Sequence, residues 1–460
     1  MLPGLTLPGS LAALLGALRP CFTAPSFRTF CGLAAGLAGQ PRRRTVVGML
    51  LGAGLSRAWP HDRAHYFFAR ARWEADELGL AVARLAALLL VPAGTPLTVA
   101  VDDSLFRRAG RKVHGAGWQY DGSSPSRNKL SFGTCFVVAG IVVHLPFCTR
   151  PVCLPVLGRL VPPGGKTGQA AKGGKKTTAA GGRKKDSAPG SKTAVAVALV
   201  TLLAAAFPGR RVHAVADAAY HGPALKDLPA TVTWTTRLPA NAVLYALAPP
   251  RLPGHPGPGR PASRGQRLGT PAQLTAALPW GRGTVHAYGR SRNTDLAAVT
   301  CLWHGCPGTR TVRVILARDG RSPLLALVTT DLHTTAAALV TRYSWRWSIE
   351  QAFADARNVL GAGEARTRTR RAVERTVPFA LYVHTLIIIW YARHGHRPQI
   401  IAARRAAQPW YAAKTGPAFE DMLTALRRVL ITARISAGSR ENPTPRQTQE
   451  VLAAWHAAAA

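Results

Sequence analysis

The stretch Tyr343-Ser-Trp-Arg346-Trp-Ser-Ile-Glu350-Gln-Ala-Phe-Ala-Asp-Ala-Arg357 decides how the remaining residues are read. Taken as one helix, it sets Tyr343, Arg346, Glu350 and Arg357 at successive offsets of three, four and seven, which superimpose on one face. The adjoining face carries Trp345, Ile349, Phe353 and Leu360, spaced to seat the helix on a core. A glutamate between two arginines on such a helix suits a carboxylate that meets a metal beside a phosphodiester. It equally suits an amphipathic helix with i,i+4 ion pairs, and the stretch alone leaves both readings open.

Charge narrows the choice. The 460 residues carry 59 Lys+Arg against 21 Asp+Glu, a net charge of +38. A surplus that large calls for a polyanionic partner, with nucleic acid the default. No basic amphipathic segment adjoins a lipidation signal, which argues against a membrane-surface protein. The length suffices for roughly three domains and a large buried core. With so few carboxylates, each acid in an apolar, strand-like setting is informative.

The seven cysteines, Cys21, Cys31, Cys135, Cys148, Cys153, Cys301 and Cys306, are odd in number, scattered, and form no CxxC. That argues against a disulfide framework and fits a reducing compartment. Cys148 with Cys153, and Cys301 with Cys306 and His304, lack the spacing of structural zinc sites. The N-terminus lacks the basic start and long apolar core of a signal peptide. Thr193 to Phe207 and Phe379 to Tyr391 are too short to span a bilayer and read as buried helices. A soluble cytoplasmic chain, associated with the nucleoid, is expected.

In chain order, residues 1–94 are helical in pattern. Arg42, Arg43 and Arg44 precede an apolar stretch through Leu55, and Tyr66, Phe67 and Phe68 interleave with Arg63, Arg70 and Arg72. This suits a compact helical DNA-binding domain or a plain bundle with a solvated basic face. Thr95 to Ser104 reads as a buried strand closed by the paired acids Asp102 and Asp103. Such acids need water, a cap or a cation. Lys129 to Val138 and Ile141 to Pro146 are expected as two strands about a tight turn at Ala139-Gly140. Pro162 to Lys192 is low-complexity and basic, the composition of a mobile loop that meets DNA by counterion release or has no dedicated role.

Thr193 to Phe207 reads as a helix, and Arg211 to Asp217 as a second apolar strand ending on an acid, where an N-cap is the plain alternative. Further strands are expected at residues 231–237, Thr284 to Tyr288, Ala298 to Trp303, Thr311 to Ala317 and Leu324 to Thr329, with a Pro/Gly/Arg-rich excursion from Pro249 to Pro261. Thr376 to Tyr391 and Phe419 to Ile431 are helical.

Neighbouring strands lie roughly 4.8 Å apart, so one sheet can set Asp102 beside Asp217, and a helix across its edge can deliver Glu350. Crowded carboxylates repel unless a hard divalent cation neutralises them. Two such ions about 3.5–4 Å apart can activate a water or a 3′-hydroxyl for in-line phosphoryl displacement. No GxSxG and no GxxxxGK[ST] competes with this chemistry.

On these residues the chain resembles bacterial insertion-sequence transposases of the DDE class, in the branch whose third acid sits in a Y-x2-R-x3-E-x6-K signature. Tyr343, Arg346, Glu350 and Arg357 match it, with Arg in place of the usual Lys, a planar fork in place of a point charge. Val101-Asp102-Asp103-Ser104 is similar to the family's first acid motif and Ala216-Asp217-Ala218-Ala219-Tyr220 to its second.

The resemblance implies a mixed α/β (α+β) fold with an RNase H-like core, a β-rich insertion, and helical N- and C-terminal regions. Residues 1–94 would be a helical DNA-binding domain, 95–237 the first part of the core with a basic loop at 162–192, 238–330 the insertion, 331–395 the last part of the core, and 396–460 a helical C-terminal region. Asp102, Asp103, Asp217 and Glu350 would be catalytic. Asp102, Asp217 and Glu350 would hold two Mg²⁺ or Mn²⁺ ions, with Asp102 preferred over Asp103 because it directly follows the apolar strand. Tyr343, Arg346 and Arg357 would grip DNA backbone. The implied activity is cleavage of double-stranded DNA at terminal inverted repeats and strand transfer into target DNA, by a homodimer on the DNA, with no membrane involved. The alternatives are a non-catalytic DNA-binding protein and a nuclease that cuts without joining.

Overall fold

The Ala- and Leu-rich runs of the N-terminal part, punctuated by Gly and Pro, form helices α1 (Gly9–Gly16), α2 (Ala24–Gly39), α3 (Val46–Gly52), α4 (His61–Ala69) and α5 (Ala75–Leu90) in the computed structural model. It describes residues 5–40, 44–122, 124, 127–163, 191–249, 262–303, 306, 308–320, 323–408, 410, 412–438, 445–446, 448–449 and 451–452. Arg42, Arg43, nearly all of the basic stretch read at 162–192 and the Pro249–Pro261 excursion lie outside the described residues, apart from Pro162, Pro163, Ser191, Lys192 and Pro249.

The strands follow: β1 (Leu97–Arg107), β2 (Gly117–Tyr120), β3 (Leu130–Val143) and β4 (Val152–Val161). Helix α6 (Lys192–Ala206) leads to β5 (Val212–Ala216) and β6 (Val232–Arg237). Then come β7 (Leu244–Tyr245), β8 (Arg267–Gly269), α7 (Pro271–Ala277), β9 (Gly281–Ala287), β10 (Arg290–Leu302), β11 (Thr311–Arg318) and β12 (Leu325–Thr329). Helices α8 (Ala336–Ser344), α9 (Trp347–Asn358), α10 (Arg370–Trp390), α11 (Pro398–Ala407) and α12 (Phe419–Gly438) follow.

All the strands belong to one mixed sheet. Along it, β4, β3 and β1 are antiparallel neighbours, β1, β5 and β6 are parallel, and β12, β11 and β10 extend the sheet antiparallel from β6. The parallel strand β5 is buried along its whole length, apolar except for His213, whose Nδ1 lies 2.7 Å from Thr233 Oγ1.

The larger apolar core runs from Leu11 through the sheet to Leu430, so the N-terminal helices share it with the strands. Its axis is α10, apolar and long enough by itself to cross a membrane, with 94% of its most apolar window buried inside the protein. The helix expected from Thr376 in fact begins at Arg370, with Pro378 inside it. The Phe379 ring meets Phe30 of α2 at 6.0 Å and Phe67 and Phe68 of α4 at 6.1 and 5.2 Å. Buried Arg375 donates to the carbonyls of Phe68, Ala71 and Trp73, fixing the link between α4 and α5 on α10. In α4 and just after it, Phe67 and Phe68 pack inward while Arg70 and Arg72 face solvent. Arg63 is engaged, donating to Thr29 Oγ1 at 2.9 Å and lying 4.0 Å over the Trp59 ring. A smaller core joins Val285, Ile315 and Leu327 to Leu339 and Val340 of α8.

Four expectations are corrected. Ala139-Gly140 is not a turn, because β3 runs unbroken through it. Gly140 is needed for close approach, since a Cβ there would meet Cys153 Sγ at 2.3 Å, and the register against β4 shifts at this point. The turn after β3 comes instead at Leu145 to Cys148, and β4 beyond it was not expected. Asp102 and Asp103 do not close β1 but sit in its middle. Lys192 opens α6 rather than ending a loop, behind the Ser191 cap whose side chain accepts from the Ala194 amide.

The fourth correction concerns the organising stretch. It is two helices, α8 and α9, joined at Trp345-Arg346. The amides of Trp345, Arg346, Ser348 and Ile349 each bond the carbonyl three residues back, the tightened geometry of a 3₁₀ turn. Tyr343 therefore belongs to the end of α8, and only Arg346, Glu350 and Arg357 keep the α9 relationship.

Candidate active site

Parallel pairing of β1 and β5 ends at Val101 opposite Ala216. The next residue on each strand is Asp102 and Asp217, so the two acids emerge side by side where β5 stops and β1 continues alone against β3. Helix α9 lies over this corner, with Ile349, Phe353 and Leu360 buried beneath it as their spacing implies, and Trp345 half-buried, its ring 4.7 Å from the His144 ring. Helix α8 is held by Arg342, which donates to Asp331 Oδ2 at 2.8 Å. Burial pushes Asp331 up, but hydrogen bonds from Arg342 and Thr334 outweigh it and hold the carboxyl well below the usual range.

Arg346 lies at the centre. Its Nη1 donates to Asp102 Oδ2 at 2.9 Å and its Nη2 to Glu350 Oε1 at 2.8 Å. The Arg346 pKa is raised because Asp102, Tyr343, Glu350 and Asp217 outweigh the opposing desolvation. Burial is the largest influence on Asp102, pushing it up to about 7 against the pull of Arg346 and of the Asp103 amide, with the negative charges of Asp103 and Asp217 adding to the rise. The Asp217 backbone is pinned by Thr236 Oγ1, which donates to its carbonyl at 2.6 Å, and its Oδ1 accepts from the Ala218 amide at 2.6 Å. Tyr343 is half-buried beside Arg346, Asp217 and Arg237, and burial raises its hydroxyl.

The structure thus gathers Asp102, Asp217, Glu350, Arg346 and Tyr343. It does not bring Asp103 to them. Successive strand residues face opposite sides, and Asp103 is held on the other side by Lys192, Tyr220 and Cys135. Arg357 lies about 10 Å further along α9 from Glu350. It lines an open cleft of about 510 Å³ with Arg107, Asp121 and Glu364. Its Nε makes one backbone contact, to Phe353 O at 3.3 Å, and desolvation lowers its pKa. Arg237, Lys192 and the hydroxyl of Tyr220 were not anticipated as members of these networks. The two-residue strand period would have put Asp103 on the far side, and Ser191 as a cap would have put Lys192 in the first turn of a helix.

Among the described residues, no three His, Cys, Asp or Glu side chains stand close enough together to hold one ion. The donors fit a divalent cation in kind, being carboxylate oxygens in a half-buried corner. Oxygens from β1 and α9 already converge on one positive charge, with the Arg346 guanidinium standing in for a cation.

The profile described as DDE superfamily endonuclease matches residues 17–305. The matched span contains Asp102, Asp103 and Asp217 and ends before Tyr343, Arg346, Glu350 and Arg357. No curated protein matches the sequence. Among solved structures, a piggyBac transposase synaptic complex with hairpin DNA is similar over 97% of this chain and 80% of that one, at 9% identity and a TM-score of 0.38.

Proposed function

Because the chain belongs to the DDE superfamily endonuclease family, we propose that it is an insertion-sequence transposase of bacterial type that cuts DNA at the ends of its own element and joins the freed 3′ ends to target DNA. The observation that carries this reading is the Arg346 bridge between Asp102 and Glu350. It brings acids 248 positions apart (350 − 102) to one charge, beside Asp217. The strand order β4-β3-β1-β5-β6, antiparallel then parallel, supports an RNase H-like core with the acids at its centre. The surplus of +38 supports a double-stranded DNA partner.

Asp102, Asp217 and Glu350 would hold Mg²⁺ or Mn²⁺, which when bound supplies Lewis-acid activation of the attacking oxygen and stabilisation of the leaving one. Strand β1 and the turn that follows β5 fix two of the carboxylates, and α9 delivers the third. Arg346 neutralises the acids and presents a planar fork that can turn to a phosphate. Arg357, one cleft away, would hold the backbone further along the strand without reading bases. Residues 1–94 and 396–460 would contact the terminal repeats, and two subunits would act together on the paired ends.

The test is cleavage and joining of end-bearing DNA in Mg²⁺ by the full chain and by Glu350→Gln. The variant is expected to lose both while retaining DNA affinity. Normal cutting by Glu350→Gln overturns the reading. A wild-type chain that binds DNA with a steep salt slope and cuts under no divalent cation is a DNA-binding protein, and one that cuts but fails to join pre-cut ends is a nuclease.

A further inference from the structure

Asp103 accepts three hydrogen bonds on the side of β1 away from Asp102. Tyr220 Oη donates to its Oδ1 at 2.8 Å, and Lys192 Nζ and Cys135 Sγ donate to its Oδ2 at 2.6 and 3.3 Å. The donors come from the turn after β5, from the first residue of α6 and from β3. The carboxylate therefore joins three elements to β1 at the residue next to Asp102.

Tyr220 is the informative partner. It is 1% exposed, its amide closes the turn by donating to Asp217 O at 2.9 Å, and its carbonyl accepts from Trp234 Nε1 of β6 at 3.1 Å. Asp217 has already left the β1 ladder, which ends at Ala216. Its turn is tied to β6 by Thr236 and Trp234, and Tyr220 Oη adds a direct tie to β1. A buried phenol hydroxyl needs a partner, and a carboxylate is a strong one. Lys192 Nζ, 2.6 Å from Oδ2, pairs with this carboxylate and offsets part of its charge beneath the acids above it.

We propose that Asp103 is a positioning residue, which through Tyr220 and Lys192 sets the turn carrying Asp217 level with Asp102. This rests on the reading of Asp102, Asp217 and Glu350 as the acids that hold a cation. Supporting contacts of this kind are worth about 10- to 100-fold in metal affinity when removed.

The experiment titrates the full-length chain with Mn²⁺ alone by calorimetry and, in parallel, measures cleavage across a Mn²⁺ series. The proteins compared are wild type, Asp103→Asn, Tyr220→Phe, Lys192→Met, Asp102→Asn and Asp217→Asn. Asp103→Asn and Tyr220→Phe are expected to bind Mn²⁺ about 10- to 100-fold more weakly, and to recover cleavage at saturating Mn²⁺. Asp102→Asn and Asp217→Asn are expected to recover it at no concentration. Tyr220→Phe removes one oxygen and keeps the test open if Asp103→Asn fails to fold. Wild-type Mn²⁺ affinity in Tyr220→Phe overturns the proposal. So does a folded Asp103→Asn that stays inactive at saturating Mn²⁺, because Asp103 would then act as a ligand. Full activity in Asp102→Asn and Asp217→Asn removes the underlying reading of the site and the proposal with it, an outcome distinct from the other two.

Discussion

Asp102 and Asp103 are neighbours on one strand that serve opposite sides of the sheet, Asp102 accepting from Arg346 at 2.9 Å and Asp103 from Lys192 at 2.6 Å. Two adjacent acids in β geometry cannot both turn to one ion without a slip in register, and β1 is held in register against β3 through both of them, with β5 pairing up to Val101. The two carboxylates therefore meet separate sets of partners.

Arg346→Gln should destabilise the metal-free protein by about 2–3 kcal/mol. That is below the ~3–5 typical of breaking a fully buried pair, because the Glu350 side chain is 35% exposed. Mn²⁺ then neutralises carboxylates that the variant leaves uncompensated, so it should raise the thermal midpoint of the variant more than that of wild type. Equal Mn²⁺ shifts in differential scanning calorimetry would show that the guanidinium and the ion do not share a site.

The raised pKa of Asp102 has a definite sign. With the folded carboxyl at about 7 and the unfolded one near 3.9, the folded chain binds more protons between those values. This group's contribution to stability therefore falls as pH rises through that window. His213 and His384, pushed down by burial to about 4 and about 3, act in the opposite sense below pH 6.5. The comparison is thus metal-free wild type against Asp102→Asn by urea denaturation from pH 4.5 to 8. The stability advantage of the variant should grow with pH and level off above about 7. A pH-independent difference would remove Asp102 as the titrating group.

Phe379→Ala should cost about 3–5 kcal/mol, the usual range for deleting a buried aromatic. The ring joins α10 to α2 and α4, so the loss should appear as one cooperative transition at lower temperature. Separate melting of residues 1–94 would contradict the shared core.

Arg357→Ala should weaken binding to any duplex alike and lower the log–log salt slope by about one, with Mn²⁺ affinity unchanged. Filter binding from low to high salt reads this directly. An unchanged slope would place Arg357 away from the backbone.

Much of this arrangement can be read along the chain. The apolar runs at β1, β5, β6, β11 and β12 and the helix α6 follow period and punctuation, and two buried runs each leading to an acid point to a shared corner. Long-range packing hides the rest. Ala139-Gly140 has the local chemistry of a turn, and only the approach of Cys153 shows why glycine is needed inside a strand. Pro155 within β4 argues against a strand when only the local residues are considered. Nothing in Ser344-Trp345-Arg346 forbids a continuous helix. In the folded protein Trp345 packs on His144, and Ser348 Oγ takes the Trp345 carbonyl at 2.7 Å.

The chain leaves β6 at Arg237 and comes back through β12, where Leu327 pairs with that same Arg237. The excursion between them begins and ends at one seam, so its length has no bearing on where Glu350 arrives. It also serves as a cover. Without β12, the outer rim of β6 would lie bare, a strand ready to recruit another copy. A chain trimmed of this region would have to be capped along β6 to remain monodisperse.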